Sequence, residues 1–169
     1  MTLREYLYVG PVAIRESSRS QPIGTVVSTR DELRQWLESV PDERTQHKTW
    51  IATFTISIDG KLHLASRRSE HIACAGCDRV LSAGEITFDD EFAVTEITNQ
   101  STGFCPEPES WNAVTDVLDR MQLSHPGRFT TEVVFRLCPS CGQRNIVRDS
   151  WFHCAICEGK LPLAWNFPA

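Results

Sequence analysis

The sequence lacks any long hydrophobic run. No apolar stretch in its 169 residues approaches the about 20 residues that a membrane-spanning helix needs. Residues 1–11 also lack a basic segment followed by an apolar stretch, which is the pattern of a secretory signal peptide. Internal repeats and low-complexity tracts are missing as well. We therefore expect a protein without membrane contact that lies in the cytoplasm.

A basic excess is also missing. The formal net charge is −5 at pH 7, whereas nucleic-acid-binding domains usually carry a basic stripe. The charge therefore argues against nucleic acid as the main partner. Hydrophobic residues make up 41% of the chain and charged residues 23%, which is ordinary for a globular protein. The length fits one domain or two small ones.

Cysteine is present in an odd number, which argues against a framework of disulfides. Of the seven cysteines, six fall in Cys-x2-Cys pairs, a spacing that is typical of metal ligands. Metal-binding cysteines fit a reducing compartment better than a secreted protein. This pattern supports the cytosolic expectation.

The strongest motif lies near the C-terminus. Cys138-Pro-Ser-Cys141 is followed, after twelve residues, by Cys154-Ala-Ile-Cys157. Two such pairs match the spacing of a four-cysteine zinc site, in which four sulfurs surround Zn²⁺ as a tetrahedron. The sequence therefore predicts a structural Zn²⁺ held by Cys138, Cys141, Cys154 and Cys157. Two disulfides or four separate buried thiols are the alternative, and iron fits the same geometry; zinc is preferred because it is redox-silent.

Two helices are predicted from apolar periodicity and end signals. Thr29 and Glu32 form a capping box at the start of the first helix, and Pro41 ends it. Its apolar stripe is Leu33, Trp36, Leu37 and Val40. The second helix opens at Pro106, and its stripe is Trp111, Val114, Leu118 and Met121.

The strand signals predict an antiparallel meander of about four strands. Asp59-Gly60 is a strong hairpin turn between the β-rich residues 50–58 and residues 61–65. Residues 80–88, with a bend at Ala83-Gly84, and residues 92–98 supply further strands. Outside the meander, residues 6–9 are expected as a short strand, residues 15–22 as a polar loop and residues 129–135 as a strand that leads into the first cysteine pair.

The order strand, Cys-x2-Cys, hairpin, Cys-x2-Cys over residues 133–165 resembles a zinc ribbon, a rubredoxin-like four-cysteine module. The resemblance implies a fold and a metal but no activity. The predicted class is therefore α+β, with an antiparallel β-module, two amphipathic helices and a C-terminal zinc ribbon. Residues 1–130 form the α+β domain, and residues 131–169 form the ribbon packed on it. Trp165 and Phe167 are expected to dock on the body, because the last residues are too apolar for a loose tail.

A second constellation has three open interpretations. His71, Cys74, Cys77 and the distant Cys105 have an acceptable spacing for a second zinc site. The same residues could instead be packing groups, since free cysteine is often a small buried hydrophobe. In the third interpretation they form a reaction centre, with His71 as the base, Glu85 as the orienting group and Cys74 or Cys105 as the nucleophile.

Residues 54–106 also resemble a small β-module that occurs in bacterial toxin- and effector-related proteins. The matching positions are Asp59, Gly60, His71, Val80, Ala83, Gly84, Glu85, Ser101, Phe104 and Pro106. That module commonly has a histidine after the serine, where this chain has Thr102-Gly103-Phe104. The resemblance indicates His71, Glu85 and Ser101 as candidate site residues, but it implies no reaction.

Three functions follow from these patterns. The first is a zinc-stabilised cytosolic binding or adaptor protein that acts through protein–protein contacts, in a bacterial toxin, effector or defence-related system. The second is an enzyme or small-ligand binder that uses His71, Glu85 and a nearby thiol. The third is nucleic-acid binding through the ribbon, where Arg144, Arg148, Trp151 and Phe152 lie on one hairpin. We expect Trp151 and Phe152 to pack the ribbon against the body instead, because so small a module has little other core.

Overall fold

A computed structural model describes residues 2–40 and 44–169. The helices are α1 (Val12–Ser18), α2 (Arg30–Ser39), α3 (His71–Cys74) and α4 (Trp111–Arg120), with a 3₁₀ turn at Pro108–Ser110. The strands are β1 (Thr25–Val27), β2 (Trp50–Ser57), β3 (Leu62–Ser66), β4 (Val80–Phe88), β5 (Val94–Ile97), β6 (Val134–Leu137) and β7 (Arg144–Val147). The mixture of helix and antiparallel sheet agrees with the predicted α+β class. Within these residues, no helix is long and apolar enough to cross a bilayer.

The main sheet has five antiparallel strands in the order β1-β3-β2-β4-β5. The predicted hairpin at Asp59-Gly60 is confirmed, and Gly60 adopts the positive φ of 73° that this turn needs. The predicted meander is wrong in its order. Strand β4 pairs with β2 rather than with β3, because the other edge of β3 is taken by β1. Strand β4 continues through Ala83 and Gly84, so the bend expected there does not interrupt the strand.

Helix α2 begins at the predicted cap. The Thr29 hydroxyl accepts a hydrogen bond from the Glu32 backbone N–H at 3.1 Å. The Glu32 carboxylate reaches back to the Ser28 N–H at 2.6 Å, one residue before the position that a standard capping box uses. Leu33 and Leu37 are fully buried against the sheet. The predicted stop at Pro41 lies outside the described residues.

Helix α4 starts later than predicted. The chain first makes the 3₁₀ turn at Pro108–Ser110 and becomes α-helical at Trp111. Val114 and Leu118 are buried as expected, and Met121 is buried just after the helix ends. Helices α2 and α4 thereby share one apolar core with the sheet.

Two segments before β1 differ from their prediction. Tyr6 forms only an isolated bridge with Val80, so residues 6–9 are not a strand. The segment expected as a polar loop contains most of α1, which buries only Ser18 among its own residues. A helix without an apolar stripe gives no periodic signal, and this explains why the sequence did not reveal it.

Residues 131–169, here called the C-terminal segment, contain the β6–β7 hairpin and a tail that returns to the body. The Trp165 indole N–H donates to the Cys105 carbonyl at 2.9 Å, and its ring meets Tyr6 edge-on at 5.5 Å. Phe167 is buried beside Cys105. The predicted docking of Trp165 and Phe167 is confirmed.

Candidate metal centre

Two turns of matching geometry present the four cysteines of the C-terminal segment. The Cys138 N–H donates to the Gln143 carbonyl at 2.8 Å, and the Gly142 N–H donates to the Cys138 carbonyl at 2.9 Å. In the second turn the Cys154 N–H donates to the Gly159 carbonyl at 2.8 Å, and the Glu158 N–H donates to the Cys154 carbonyl at 2.9 Å.

The residue that follows each cysteine pair has a left-handed backbone. The φ angle is 74° at Gly142 and 60° at Glu158. Glycine adopts this conformation without strain, whereas glutamate does so at some cost. The shared conformation closes each turn, so that both cysteines of a pair can face the same point.

The four sulfurs gather around one centre. All of them lie within 4.8 Å of one another, and the Sγ atoms are 3.5 Å apart for Cys138 and Cys157 and 3.6 Å apart for Cys141 and Cys154. Sulfurs placed about 2.3 Å from a tetrahedral ion would be about 3.8 Å apart. A disulfide needs a separation of about 2.05 Å, so these are four free thiols. The predicted set of four is therefore brought together with a spacing that suits a metal ion.

Backbone amides point at all four sulfurs, and such amides favour the thiolate that binds metal. The N–H of Cys157 and of Ile156 lower the pKa of Cys154 to about 6, against the smaller opposing effect of burial. The N–H of Cys141 likewise lowers the pKa of Cys138. At Cys141 and Cys157 the amides of Gln143 and Gly159 are outweighed by the adjacent sulfurs and burial, which raise the pKa of Cys141 to about 12 and also raise that of Cys157. Asn145 supports the same turn, because its amide donates to the Cys154 sulfur at 3.6 Å and accepts from the Ala155 N–H at 2.9 Å.

The four ligands differ in exposure. Cys138 and Cys154 are buried and pack with Leu161 in a small cluster beneath the centre. Cys141 and Cys157 are exposed. The centre thus lies near the surface, with its inner half joined to the apolar contacts of the hairpin.

The second predicted set, His71, Cys74, Cys77 and Cys105, is not gathered. Across residues 2–40 and 44–169, only the four C-terminal cysteines form a group of metal-binding side chains. The partners of the second set show why. His71 Nε2 contacts the Gly84 carbonyl at 3.0 Å, and the Cys74 sulfur lies 3.7 Å from the Thr55 hydroxyl. The sulfurs of Cys77 and Cys105 face the carbonyls of Arg15 and Thr102.

The proposed reaction centre is not assembled either. Burial raises the pKa of both Cys74 and Cys105 to about 12, so neither thiol ionises near neutral pH. Burial also lowers the pKa of His71, whose ring nitrogen donates to a backbone carbonyl. Glu85 is half-buried in β4, and its backbone pairs with Thr98. The packing interpretation of these groups fits their surroundings.

Asn99 and Ser101, in the loop after β5, are both fully buried. The Asn99 amide donates to the carbonyls of Pro106 and Val133, each at 2.8 Å, and accepts from the Val133 N–H at 2.7 Å. Asn99 therefore ties the body to the strand that leads into the metal centre. The Ser101 hydroxyl has no hydrogen-bond partner within the described part of the chain.

Sequence reasoning missed a buried ion pair beside the C-terminal segment. Arg136 donates to the Glu107 carboxylate at 2.7 Å, and their side chains are only 6% and 12% exposed. A charged residue inside the apolar run of β6 was the available signal, but its carboxylate partner lies 29 positions away. Spacing alone could not reveal that pairing.

The expected packing of Trp151 against the body is wrong. Trp151 was expected to pack the C-terminal segment against the body, yet it is 67% exposed. Its ring stacks on His153, with centroids 4.2 Å apart and planes inclined by 28°. Phe152 is half-buried and lies near the Arg136 guanidinium. The small core beneath the sulfurs is formed by Leu161, Val147 and Phe152 instead.

Comparisons of the chain with protein-family models, with characterised proteins and with solved structures found no match. The resemblances to zinc ribbons and to the bacterial β-module therefore stay predictions.

Proposed function

We propose that residues 131–169 form a zinc ribbon with a structural Zn²⁺, and that the protein is a binding or adaptor protein that acts through contacts with a protein partner. The observation that carries this proposal is the closed group of four sulfurs. Four thiolates complete a tetrahedral coordination sphere and leave no position for water or substrate. Such a metal stabilises the fold and does not catalyse.

Zinc is the metal that we propose for this centre. Sulfur ligands in a tetrahedron suit both zinc and iron, and zinc is preferred because a structural site needs a redox-silent ion. The hairpin is also small, so that a bound ion would supply much of its folding free energy. The two buried cysteines, Leu161 and the half-buried Val147 and Phe152 make only a modest core.

Exposed apolar side chains on the same segment support a role in protein contacts. Trp151 is 67% exposed and Ile156 is 70% exposed. Tryptophan is enriched in protein interfaces, where one large ring buries much apolar area. Cys74 and Cys105 are buried, and burial raises the pKa of each thiol to about 12, which disfavours the enzyme alternative. A bacterial toxin, effector or defence setting rests on the β-module resemblance alone.

Metal quantification tests the structural part of the proposal. Protein purified without chelator should contain one equivalent of zinc per chain, and a strong chelator should lower its melting temperature. Cys141→Ser should lose the metal, while Cys77→Ser is the matched control because Cys77 lies outside the group of four. Metal-free protein with freely alkylated thiols in the native state would refute the proposal. Two equivalents, with one lost in Cys77→Ser, would restore the second predicted site.

The stacking of the exposed Trp151 on the half-buried His153 favours one second candidate, nucleic-acid binding through the ribbon. Arg148 lies three residues before Trp151 and is exposed. Fluorescence titration with a single-stranded oligonucleotide tests this candidate. Binding that weakens steeply with added salt and disappears in Trp151→Ala supports it. Salt-insensitive or undetectable binding removes it.

A further inference from the structure

A cavity of about 590 Å³ lies where both ends of the chain meet the start of α4. Its walls come from the first residues, the 3₁₀ turn before α4, strand β6 and the C-terminal tail. The residues that determine its chemistry are Arg4, Tyr6, Glu107, Glu109, Arg136 and Trp165. The volume lies in the range of ligand pockets in proteins, about 300–1,000 Å³.

The floor of the cavity offers carboxylate oxygen rather than a free cation. Arg136 donates from its Nη1 to Glu107 and from its Nε and Nη2 to the Leu163 carbonyl at 3.1 and 2.6 Å. It also donates to the carbonyls of Phe135 and Pro162. These bonds occupy all three nitrogens of the guanidinium, so Arg136 is poorly placed to bind an incoming anion. Glu107, in contrast, uses only one carboxylate oxygen for Arg136.

The wall of the cavity already holds a guanidinium. Arg4 places its guanidinium carbon 4.7 Å from the centroid of the Trp165 ring, which is a cation–π distance. The Arg4 side chain belongs to an exposed segment without regular secondary structure, and no ion pair to Arg4 is found within residues 2–40 and 44–169. Arg4 is thus held there by Trp165 and can leave at little cost.

The local charge changes when Arg4 leaves. With Arg4 in place, the two arginines and the two carboxylates at the cavity balance to zero. Without Arg4, Glu107 and Glu109 outweigh Arg136 by one negative charge. The vacated site then combines an indole face with a net charge of −1, and this combination suits one planar cation.

We infer that this cavity binds an arginine side chain of a partner protein, whose guanidinium replaces that of Arg4 on the Trp165 face. The inference rests on the proposed function, because it names what the partner offers. Arg4 acts as an internal occupant that competes with the partner. Glu109, which is exposed at the rim, attracts the incoming cation, and Glu107 accepts from it with the oxygen that Arg136 leaves unused.

The direct test uses a short peptide as the probe. The acetylated, amidated peptide Gly-Gly-Arg-Gly-Gly is titrated into isotope-labelled protein, and the indole resonance of Trp165 is followed by NMR. The control peptide carries citrulline, a neutral isostere, in place of arginine. We expect a saturable shift of the Trp165 resonance with the arginine peptide and none with the citrulline peptide. Equal binding of both peptides would overturn the inference, because the cation would then be irrelevant.

Two variants separate the roles of the charges. Arg4→Ala should bind the arginine peptide about two- to fivefold more tightly, since an exposed cation–π contact no longer competes. Glu109→Gln should bind it more weakly. Arg148→Ala is the matched control, because it removes one exposed positive charge from elsewhere on the protein and should change affinity little.

Other outcomes are decisive as well. If Arg4→Ala weakened binding, or if a glutamate peptide bound to the native protein and not to Arg4→Ala, Arg4 would be part of an anion site and the inference would fail. Zinc content is measured on the same samples. Loss of peptide binding with one zinc retained would overturn only the inference, whereas absence of zinc would overturn the proposed function.

Discussion

Gly84 is a residue whose missing side chain lets two segments meet. A Cβ atom at this position would lie far inside contact distance of the Thr98 carbonyl oxygen. The Gly84 carbonyl accepts the hydrogen bond from His71 on the other side. The sequence pattern indicated a bend here, but the actual requirement is close approach of the backbone after β5.

We predict that Gly84→Ala lowers the free energy of unfolding by about 3 kcal/mol, because backbone atoms must shift to admit the methyl group. Gly127→Ala is the control. Gly127 has a positive φ of 76°, and a methyl group there would meet no heavy atom of the described chain within 4 Å, so the cost is about 1 kcal/mol of backbone strain. Urea unfolding of both variants measures the difference, and equal losses would contradict the steric argument.

His71 makes stability depend on pH. Burial lowers its pKa below the ordinary 6.5, so the folded protein keeps the neutral ring. As pH falls through 6.5, His71 binds a proton in the unfolded chain but not in the folded protein. The contribution of neutral His71 to the free energy of unfolding is therefore complete above pH 6.5. Below pH 6.5 it is lost, by up to about 1.4 kcal/mol per pH unit.

The matching experiment compares the native protein with His71→Gln. The glutamine amide can donate to the Gly84 carbonyl and does not titrate. We predict that the difference in unfolding free energy between the two proteins shrinks between about pH 7 and pH 5. Because burial lowers the pKa of His63 in the same direction, the variant should keep part of the pH dependence. Parallel profiles would show that His71 does not titrate with folding.

At the scale of elements, the sequence predicted the features that depend on neighbouring residues correctly, but it predicted the order of the strands incorrectly. The Thr29 cap and the Asp59-Gly60 turn each depend on neighbouring residues, and both were predicted correctly. The order of β3 and β4 depends on β1, which pairs with the free edge of β3, and no local sequence pattern indicates that pairing. Helix α1 was missed for a related reason, because its partly buried Ile14 packs against a cluster of residues from remote segments and the helix has no apolar stripe.

The residues of the candidate site show the same difference between local and remote determinants. The four C-terminal cysteines were predicted because their ligand geometry is local to two short turns. His71 and Cys105 carried the residue types of a site, but their neighbours come from remote segments. The Glu107–Arg136 pair was missed because the two residues lie 29 positions apart, so no local pattern links the charge in β6 to its carboxylate partner.

Asn166 acts as a strand partner for β6. Its side-chain amide accepts from the Leu137 N–H at 2.9 Å and donates to the Leu137 carbonyl at 2.7 Å. We predict that Asn166→Ala lowers the unfolding free energy by about 2 kcal/mol, since two part-buried backbone groups lose their partner. Pro168→Ala, at an exposed neighbouring position, should be nearly neutral. A thermal melt of both variants decides, and a neutral Asn166→Ala would show that water replaces the amide.

At the scale of the whole molecule, Arg136 joins the C-terminal segment to the body. We predict that Arg136→Met costs about 3–5 kcal/mol, because the Glu107 carboxylate stays buried without a counter-charge. Replacing both residues by methionine should recover part of that loss. Full recovery is not expected, because the Leu163 and Pro162 carbonyls also lose their donor. A double-mutant cycle measures the coupling, and additive losses would show that the pair contributes no interaction.

The meeting of the two chain ends at one cavity offers a practical reporter. A donor dye attached at Thr2 and an acceptor dye attached at Ala164, both of which are exposed and line this cavity, would be held close together in the native protein. In an unfolded chain of this length, with a radius of gyration of about 40 Å, they would separate. Energy transfer between the dyes would therefore follow folding in single molecules while leaving the buried core untouched.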